Sequence, residues 1–361
     1  MRPELRATQV KEAEDMLPAL TLYLSEKYDL GNTQIPTHCV KVSFIKCLWV
    51  IARSRAIVLD VPEPLWIRFA LKNLLIMSVW KLSRGFSTQR REVVSYAIEN
   101  NSIENILWPN RRIPQAFVRL FAFLYGLAAY TLIDRIAFGS SGAKQLYSSL
   151  PFFEKLDSVL IEELPVAEFM PAPADGPQPL KHAVFVGALD DRKGILDLMS
   201  AWEHVEAVMP QVELKIIGDG PHSAAVSKWC LERPAGRRYL GFVEHADVGA
   251  HLLPGKVLVA PSRRKGRWRE QIGLPIAEAL SRGLTVVTTD ETGLAQWLAR
   301  NGHYVIPEET VNAALAGSIV RALQQPLSPA SVVASLPTTA GRIAADHWLQ
   351  TGKNTSWKDS R

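Results

Sequence analysis

The sequence predicts an α/β protein of two domains, each built on a parallel sheet. Three observations carry that expectation. After residue 180, short apolar runs alternate with stretches of helical period. Residues 165–179 read PVAEFMPAPADGPQP, with five prolines and no apolar period, which marks an interdomain linker. The chain has 361 residues, 47% hydrophobic and 21% charged, which is too long for one comfortable core and suits two. No internal repeat of solenoid period is present.

The first half, 1–168, is the less legible. Arg55–Asp60, Glu92–Ile98 and Arg135–Gly139 read as strands, and Trp66–Leu82 and Gln115–Asp134 as helices. The run Ala116–Ile133 is almost long enough to span a bilayer. Arg119 sits inside it, and Arg111, Arg112 and Arg135 flank it. A core helix is the expectation, with a membrane-contacting or a membrane-crossing helix as the alternatives. The second half, 180–340, is regular. His182–Gly187 is a strand, and Gly194–Val208 a helix with Ile195, Leu198, Met199, Trp202 and Val205 on one face. Val212–Ile217 is the next strand, Ala224–Leu231 a helix, and Arg238–Val243 and Lys256–Ala260 strands. A helix over Leu274–Arg282 and a strand over Leu284–Thr288 follow. Strands apolar on both faces are those of a parallel sheet covered by helices. Ligands then bind at the strands' C-terminal ends.

Charge is uneven. Residues 1–150 hold 19 Lys and Arg against 12 Asp and Glu, a net +7 in a chain of net +5. A basic first half invites an anionic partner, such as a membrane surface or lipid phosphate, unless it is a plain solvated face. Trp49, Trp66, Trp80 and Trp108 among these arginines are read as apolar packing rather than nucleic-acid stacking, so no nucleic-acid partner is expected. Cys39, Cys47 and Cys230 form no disulfide or metal pattern, which fits a reducing cytoplasm. The start, Met1-Arg-Pro-Glu-Leu-Arg, has no apolar leader region. No H-E-x-x-H, C-x-x-C, G-x-S-x-G or P-loop pattern occurs, so neither a metal site nor those hydrolase and kinase chemistries is expected.

The chemistry concentrates in Trp268–Glu278. Glu270 and Glu278 are eight residues apart, the first in a loop after a strand, the second inside the helix that follows. Gly273 permits the turn and Pro275 suits the first helical turn. A carboxylate accepts from both hydroxyls of a vicinal diol, and a helix start favours a phosphate. Two such acceptors beside an anion site match a ribose, a sugar and a diphosphate. Lys193, ending the turn Gly187–Gly194, supplies a cation. Gly218 and Gly220, in the turn after the second strand, permit close approach by a ring or ribose.

Together these stretches resemble the donor domain of the family 4 glycosyltransferases, which have the GT-B fold. The order is V-G-x-L-x-x-x-K-G at Val186–Gly194, I-G-D-G-P at Ile217–Pro221, and L-G-F-V at Leu240–Val243. A-P-S at Ala260–Ser262, W-x-E-Q-x-G at Trp268–Gly273 and E-A-L-x-x-G at Glu278–Gly283 complete it. The likeness spans roughly residues 180–300. It implies two Rossmann-like domains facing a central cleft, with the C-terminal segment 341–361 returning to the first. Its chemistry would be retaining and metal-independent, with a UDP- or GDP-sugar as donor substrate and no cofactor. By the same resemblance Glu278 binds the ribose, Glu270 the transferred sugar, and Lys193 the diphosphate. The backbone of Gln271, Ile272, Gly273 and Leu274 lies against sugar and phosphates, with Gly187, Gly218, Gly220, Val243 and Ser262 in the same pocket.

The family often has Arg where Ala188 stands, so one phosphate cation is missing or replaced; Arg263, Arg264 or Lys265 could supply it, with a plain solvated basic turn as the alternative. Gln296 stands where the family carries Glu. Glu99, at the end of the Glu92–Ile98 strand, is expected near the reacting sugar, with a turn-capping acid as the alternative. A lipid-linked, sugar or small-molecule acceptor in cell-surface polysaccharide or glycolipid synthesis follows, in the cytoplasm at the inner face of the cell membrane. A non-catalytic nucleotide-sugar-binding subunit is the other reading.

Overall fold

The computed structural model describes residues 1–352 except 28–29, 32–33, 84–89, 110–112, 169–180 and 253–256. The chain divides into two compact units, Leu164–Ala340 and a first unit made of Met1–Glu163 with the segment from Gly341. Most of the proline-rich 165–179 stretch, and Arg111, Arg112, Lys256 and Trp357, lie outside the described residues.

Among the described residues the first unit has seven strands: β1 Arg2–Leu5, β2 Thr21–Glu26, β3 Cys39–Lys41, β4 Val58–Asp60, β5 Glu92–Ala97, β6 Arg135–Phe138 and β7 Asp157–Leu160. They pair in parallel as β1-β2-β3 and β4-β5-β6-β7. The Met1 amine donates to the Asp60 carbonyl at 2.6 Å and Arg2 pairs with Asp60 at 3.0 Å, so the β1 and β4 edges meet. The first three strands escape a reading by period because β1 opens Arg-Pro-Glu and β3 is three residues long. The expected helix from Trp66 begins instead at Ala70. Hydrogen-bonded turns between Glu63 and Trp66 and between Trp66 and Phe69 occupy the difference.

Helices Phe44–Arg53, Ala70–Leu82 and Gln115–Leu132 pack side by side. Their inner faces bury Cys47, Ile51, Met77, Trp80, Val118 and Tyr125 in one apolar core with Val93 and Ile136. Two expectations change here. Gln115–Leu132 is a core helix on one face only, since Leu120, Phe123 and Leu124 are exposed. Trp49 and Trp108 are exposed too, so packing accounts for Trp80 but not for them. The helix Gly341–Thr351 lays Ala345, Trp348 and Leu349 on Val94 and Ala137 of β5 and β6, and Arg135 donates to the Leu349 carbonyl at 2.7 Å.

The described residues of the second unit form one sheet: β8 Lys181–Val186, β9 Val212–Ile217, β10 Arg237–Tyr239, β11 Val257–Ala260, β12 Thr285–Thr289 and β13 Tyr304–Ile306. All pairs are parallel, in the order β10-β9-β8-β11-β12-β13. Counted within the unit this is 3-2-1-4-5-6, the doubly wound order. Val184, Leu214, Val259 and Val287 are fully buried or nearly so, as strands covered on both faces require. β10 ends earlier than expected, because the chain turns at Gly241, which is left-handed at φ 70°.

Candidate functional site

In a 3-2-1-4-5-6 sheet the connections leaving the two central strands run to opposite sides, and a crevice opens between them. Here those strands are β8 and β11. A recess lies at their C-terminal ends, lined by Val186, Lys193, Ala260, Ser262, Glu270 and Gly273.

Each side chain arrives there for a local reason. After β8, Asp190 accepts the Lys193 amide at 3.2 Å and closes a short turn over Asp191–Lys193. Gly194 ends that turn at φ 69°, and a Cβ there would stand 2.1 Å from the Pro261 carbonyl oxygen. Glycine is therefore needed to press this turn against the end of β11, and that contact delivers Lys193 to the recess. Asp191 fixes the turn's outer side, accepting from Lys265 at 2.9 Å and from His222 at 2.6 Å. Those hydrogen bonds, Lys265's foremost, hold its carboxyl below the usual range.

Glu270 meets the Lys193 ammonium directly and accepts from the Ser262 hydroxyl at 3.2 Å. Both members of the ion pair are largely buried, so each neutralises the other in a site where a lone charge would be costly. The Lys193 ammonium also lies 5.1 Å from the Trp268 ring centroid, with Arg192 at 4.8 Å. Gly293 donates to the Gln271 carbonyl at 2.9 Å and Thr292 to the Ile272 carbonyl at 2.9 Å, anchoring the loop that carries Glu270. Gly273 caps the helix Leu274–Ser281, with Pro275 in its first turn. Glu278 stands one turn along that helix, its carboxylate 3.1 Å from His245 Nδ1, so the loop holding Val243 is tied to the helix start.

Two expected roles change. Arg263 does not face the recess with a free guanidinium. Its Nε and one terminal nitrogen donate to Asp197 at 3.0 and 2.6 Å, and that same terminal nitrogen reaches Asn312 at 2.6 Å. The other terminal nitrogen donates to the carbonyl and carboxylate of Glu308 at 3.0 and 3.1 Å. All five N–H groups are used, and none remains for a phosphate. Gly218 and Gly220 are required by the packing of the protein itself. A Cβ on Gly218 would stand 1.9 Å from the Gly187 carbonyl oxygen, and one on Gly220 2.7 Å from that of Leu189, so two strand-end loops close on each other there. Leu274 is exposed, and Gln296 is exposed on the helix Ala295–Arg300.

Within each unit, residues that the sequence reading missed stand at the strand ends. Glu291, buried after β12, pairs with Arg264 at 3.2 Å and Arg269 at 2.9 Å, bracketing the 264–269 loop. In the first unit Glu99 follows β5 as expected, but its neighbour is a second acid. Glu63, after β4, is left-handed at φ 49° and its carboxylate accepts the Ile98 and Glu99 amides at 2.5 and 3.1 Å. Burial, then the nearby charge of Glu99, pushes Glu63 up to about 8. Glu163, after β7, accepts from the Tyr96 hydroxyl at 2.6 Å and is raised by burial. The signal for Glu63 was its place in Val-Pro-Glu-Pro at a strand end.

Residues 181–325 match the family model described as Glycosyl transferases group 1. The chain is 30% identical over 158 residues to the phosphatidyl-myo-inositol mannosyltransferase of Mycobacterium tuberculosis, covering 41% of this chain and 39% of that one. It is 25% identical over 204 residues to the GDP-mannose-dependent monoacylated alpha-(1-6)-phosphatidylinositol monomannoside mannosyltransferase of Corynebacterium glutamicum, covering 53% and 52%. The chain spans between 32% and 52% of the length of the curated relatives it matches. Anabaena Alr3699/HepE, solved in complex with UDP, superposes over 87% of this chain and 89% of its own at a TM-score of 0.54 and 13% identity. The chain therefore has the GT-B fold, and its residues 181–325 are similar to the glycosyl transferases group 1 domain.

Proposed function

We propose that the protein is a retaining family 4 glycosyltransferase, which moves a sugar from a nucleotide diphosphate sugar to an acceptor hydroxyl without a metal. The observation that carries this reading is the Lys193–Glu270–Ser262 constellation at the switch point of the second sheet. Such an enzyme breaks the bond between the anomeric carbon and the diphosphate oxygen. It forms a new bond to the acceptor oxygen on the same face, and the acceptor's proton passes to the departing diphosphate. The protein's task is to hold charge where it develops. Lys193 is the cation for the leaving diphosphate; a unit charge pair 4 Å apart contributes about 4 kcal/mol at an effective dielectric of about 20. Glu270 accepts from hydroxyls of the transferred sugar, and Glu278, one turn into the helix, from the ribose diol. The backbone of 271–274 lies beside them. The donor is a UDP- or GDP-sugar. HepE with UDP and a relative named for GDP-mannose support the two bases equally.

The acceptor is read as a sugar, lipid-linked or small-molecule hydroxyl of a cell-surface polysaccharide or glycolipid pathway, used at the cytoplasmic face of the membrane. Phosphatidylinositol-modifying relatives support the lipid-linked case. Glu99, with Glu63 beside it, is assigned to the acceptor side. Incubation with UDP- and GDP-sugars and lipid acceptors, with the product's anomeric configuration read by proton NMR, tests the reading. Retained configuration, undiminished by EDTA, is expected; inversion, or loss of transfer on chelation, contradicts it. A nucleotide-sugar-binding subunit without turnover is the second reading. Ala188 at the usual Arg position, together with the fully engaged Arg263, favours it. Sugar release from any donor excludes it.

A further inference from the structure

The outer faces of the three side-by-side helices in the first unit are built wrongly for water. A helix on a soluble surface carries polar residues outward. Along Gln115–Leu132 the exposed positions at spacings of three and four include Phe117, Leu120, Phe123, Leu124, Leu127 and Tyr130, and Arg119 is the only charge in the helix. The neighbouring helices repeat the pattern. Leu71 and Leu82 are 82% and 83% exposed on Ala70–Leu82, and Ile45 and Trp49 are 80% and 57% exposed on Phe44–Arg53. Scattered exposed apolar side chains are ordinary; a run of them across adjacent helices marks a contact surface.

The charges on this layer share one sign. The three helices carry Lys46, Arg53, Lys72, Lys81 and Arg119 and no Asp or Glu. Lys81 is engaged by Asp134, whereas Lys46, Arg53, Lys72 and Arg119 are exposed. The Arg53 guanidinium lies 4.3 Å over the Trp49 ring, a cation beside an amphipathic anchor. An apolar plane rimmed by cations fits the boundary between anionic headgroups and acyl chains. A second copy of the chain seated on the same face would bring like charges together.

The longest helix does not cross the bilayer. Tyr125 donates to the Pro64 carbonyl. A Cβ on Gly126 would stand 2.3 Å from the Pro151 carbonyl oxygen, and Val118, Ala122 and Ala129 are in the core. One face is committed to protein along its full length of about 27 Å, which leaves the other to lie flat in the interface.

We propose that this acid-free helical layer, Phe44–Arg53, Ala70–Leu82 and Gln115–Leu132, is a docking surface for an anionic lipid bilayer, with the outer face of Gln115–Leu132 inserted at headgroup depth. The inference deepens the acceptor reading but does not rest on sugar transfer, because the surface is argued from exposure and charge alone.

Cosedimentation of the full chain with phosphatidylcholine vesicles, with and without phosphatidylglycerol, tests it. Binding is expected to the phosphatidylglycerol vesicles and to weaken with salt. Leu120→Glu with Leu124→Glu should lower the partition coefficient by about tenfold or more, each apolar side chain that would enter the bilayer being replaced by a charge repelled from the headgroups. Lys46→Glu with Lys72→Glu should also lower it by about tenfold or more on anionic vesicles. Leu231→Glu, on the second unit, should change nothing. All substituted positions are exposed, and an unchanged melting temperature checks the fold. Trp emission quenched by brominated lipid, and less so in Trp49→Phe, places the layer at the interface. The proposal is overturned if wild type stays in the supernatant with anionic vesicles, or if Leu120→Glu with Leu124→Glu binds as well as wild type. A dimer in lipid-free solution that the same variant converts to monomer, without vesicle binding, assigns the face to a second copy instead. Nucleotide binding by these variants, measured in parallel, separates failure of this inference from failure of the transfer reading.

Discussion

The two units build the same kind of parallel sheet and place opposite chemistry at its strand ends. In the second, the ends of β8 and β11 hold a cation, Lys193, locally balanced by Glu270. In the first, the ends of β4, β5 and β7 hold the carboxyls Glu63, Glu99 and Glu163, with Glu63 and Glu163 pushed upward by burial. The difference teaches that a fold fixes where chemistry gathers, and that the side chains at those ends fix its sign. A strand end that carries a lysine suits a diphosphate. An end of protonable carboxyls suits hydroxyl recognition.

Breaking the second unit's side should have the largest effect. Lys193→Ala removes the cation proposed for the leaving group and takes the ammonium from Glu270; transfer should fall by about 10²–10³-fold, read as kcat with saturating donor. A loss of less than about threefold would remove Lys193 from the chemistry. Glu278→Ala should weaken donor binding by about 1–3 kcal/mol, or roughly 5- to 150-fold in Kd by calorimetry, with a smaller change in turnover. Arg263→Ala sharpens the contrast within the same unit. It strips the partners of Asp197 and Glu308, and should cost about 1–3 kcal/mol of stability while leaving nucleotide affinity unchanged. A selective loss of nucleotide affinity would return Arg263 to the site.

The first unit's side is probed by pH. Glu63 is raised from its ordinary 4.5 to about 8, so the folded state holds a proton that the unfolded chain has released. Its contribution to stability is full below about pH 4.5 and is lost as pH rises through about 8. Glu63→Gln cannot ionise, and the fall in denaturant midpoint between pH 5 and 8 should shrink by the equivalent of about 1–3 kcal/mol. An unchanged slope would show that Glu63 titrates normally.

The same contrast explains what the sequence made legible. In the second unit each candidate side chain follows its strand through one loop, or into the helix that the loop starts, with a glycine or proline nearby. Strand, motif and helix could therefore be placed from local pattern, as with Lys193 after β8 and Glu270 before the Leu274–Ser281 helix. Partner choice was not local. Arg263 finds Asp197 66 residues away and Glu308 45 away, and nothing in the Arg-Arg-Lys run distinguishes it from Arg264. The close approach at Gly218 was foreseen, but the backbone filling it, Gly187, lies in another loop. In the first unit short strands carry little periodic signal, and Glu63 meets the Glu99 amide across 36 residues. The outer face of Gln115–Leu132 misled for a physical reason: composition counts apolar residues without saying which of them the fold covers.

The central claim is that the switch-point recess of the second unit binds a nucleotide diphosphate. Its most direct test is a thermal-shift panel of UDP, GDP, ADP and TDP and their common sugars, on wild type, Lys193→Ala and Glu278→Ala. A ligand at about 100 times its Kd adds roughly 2.7 kcal/mol of stability, which is readily seen as a higher Tm. A shift with one base class, diminished in both variants, is the predicted result. Shifts equal in all three proteins, or none with any nucleotide, would contradict it.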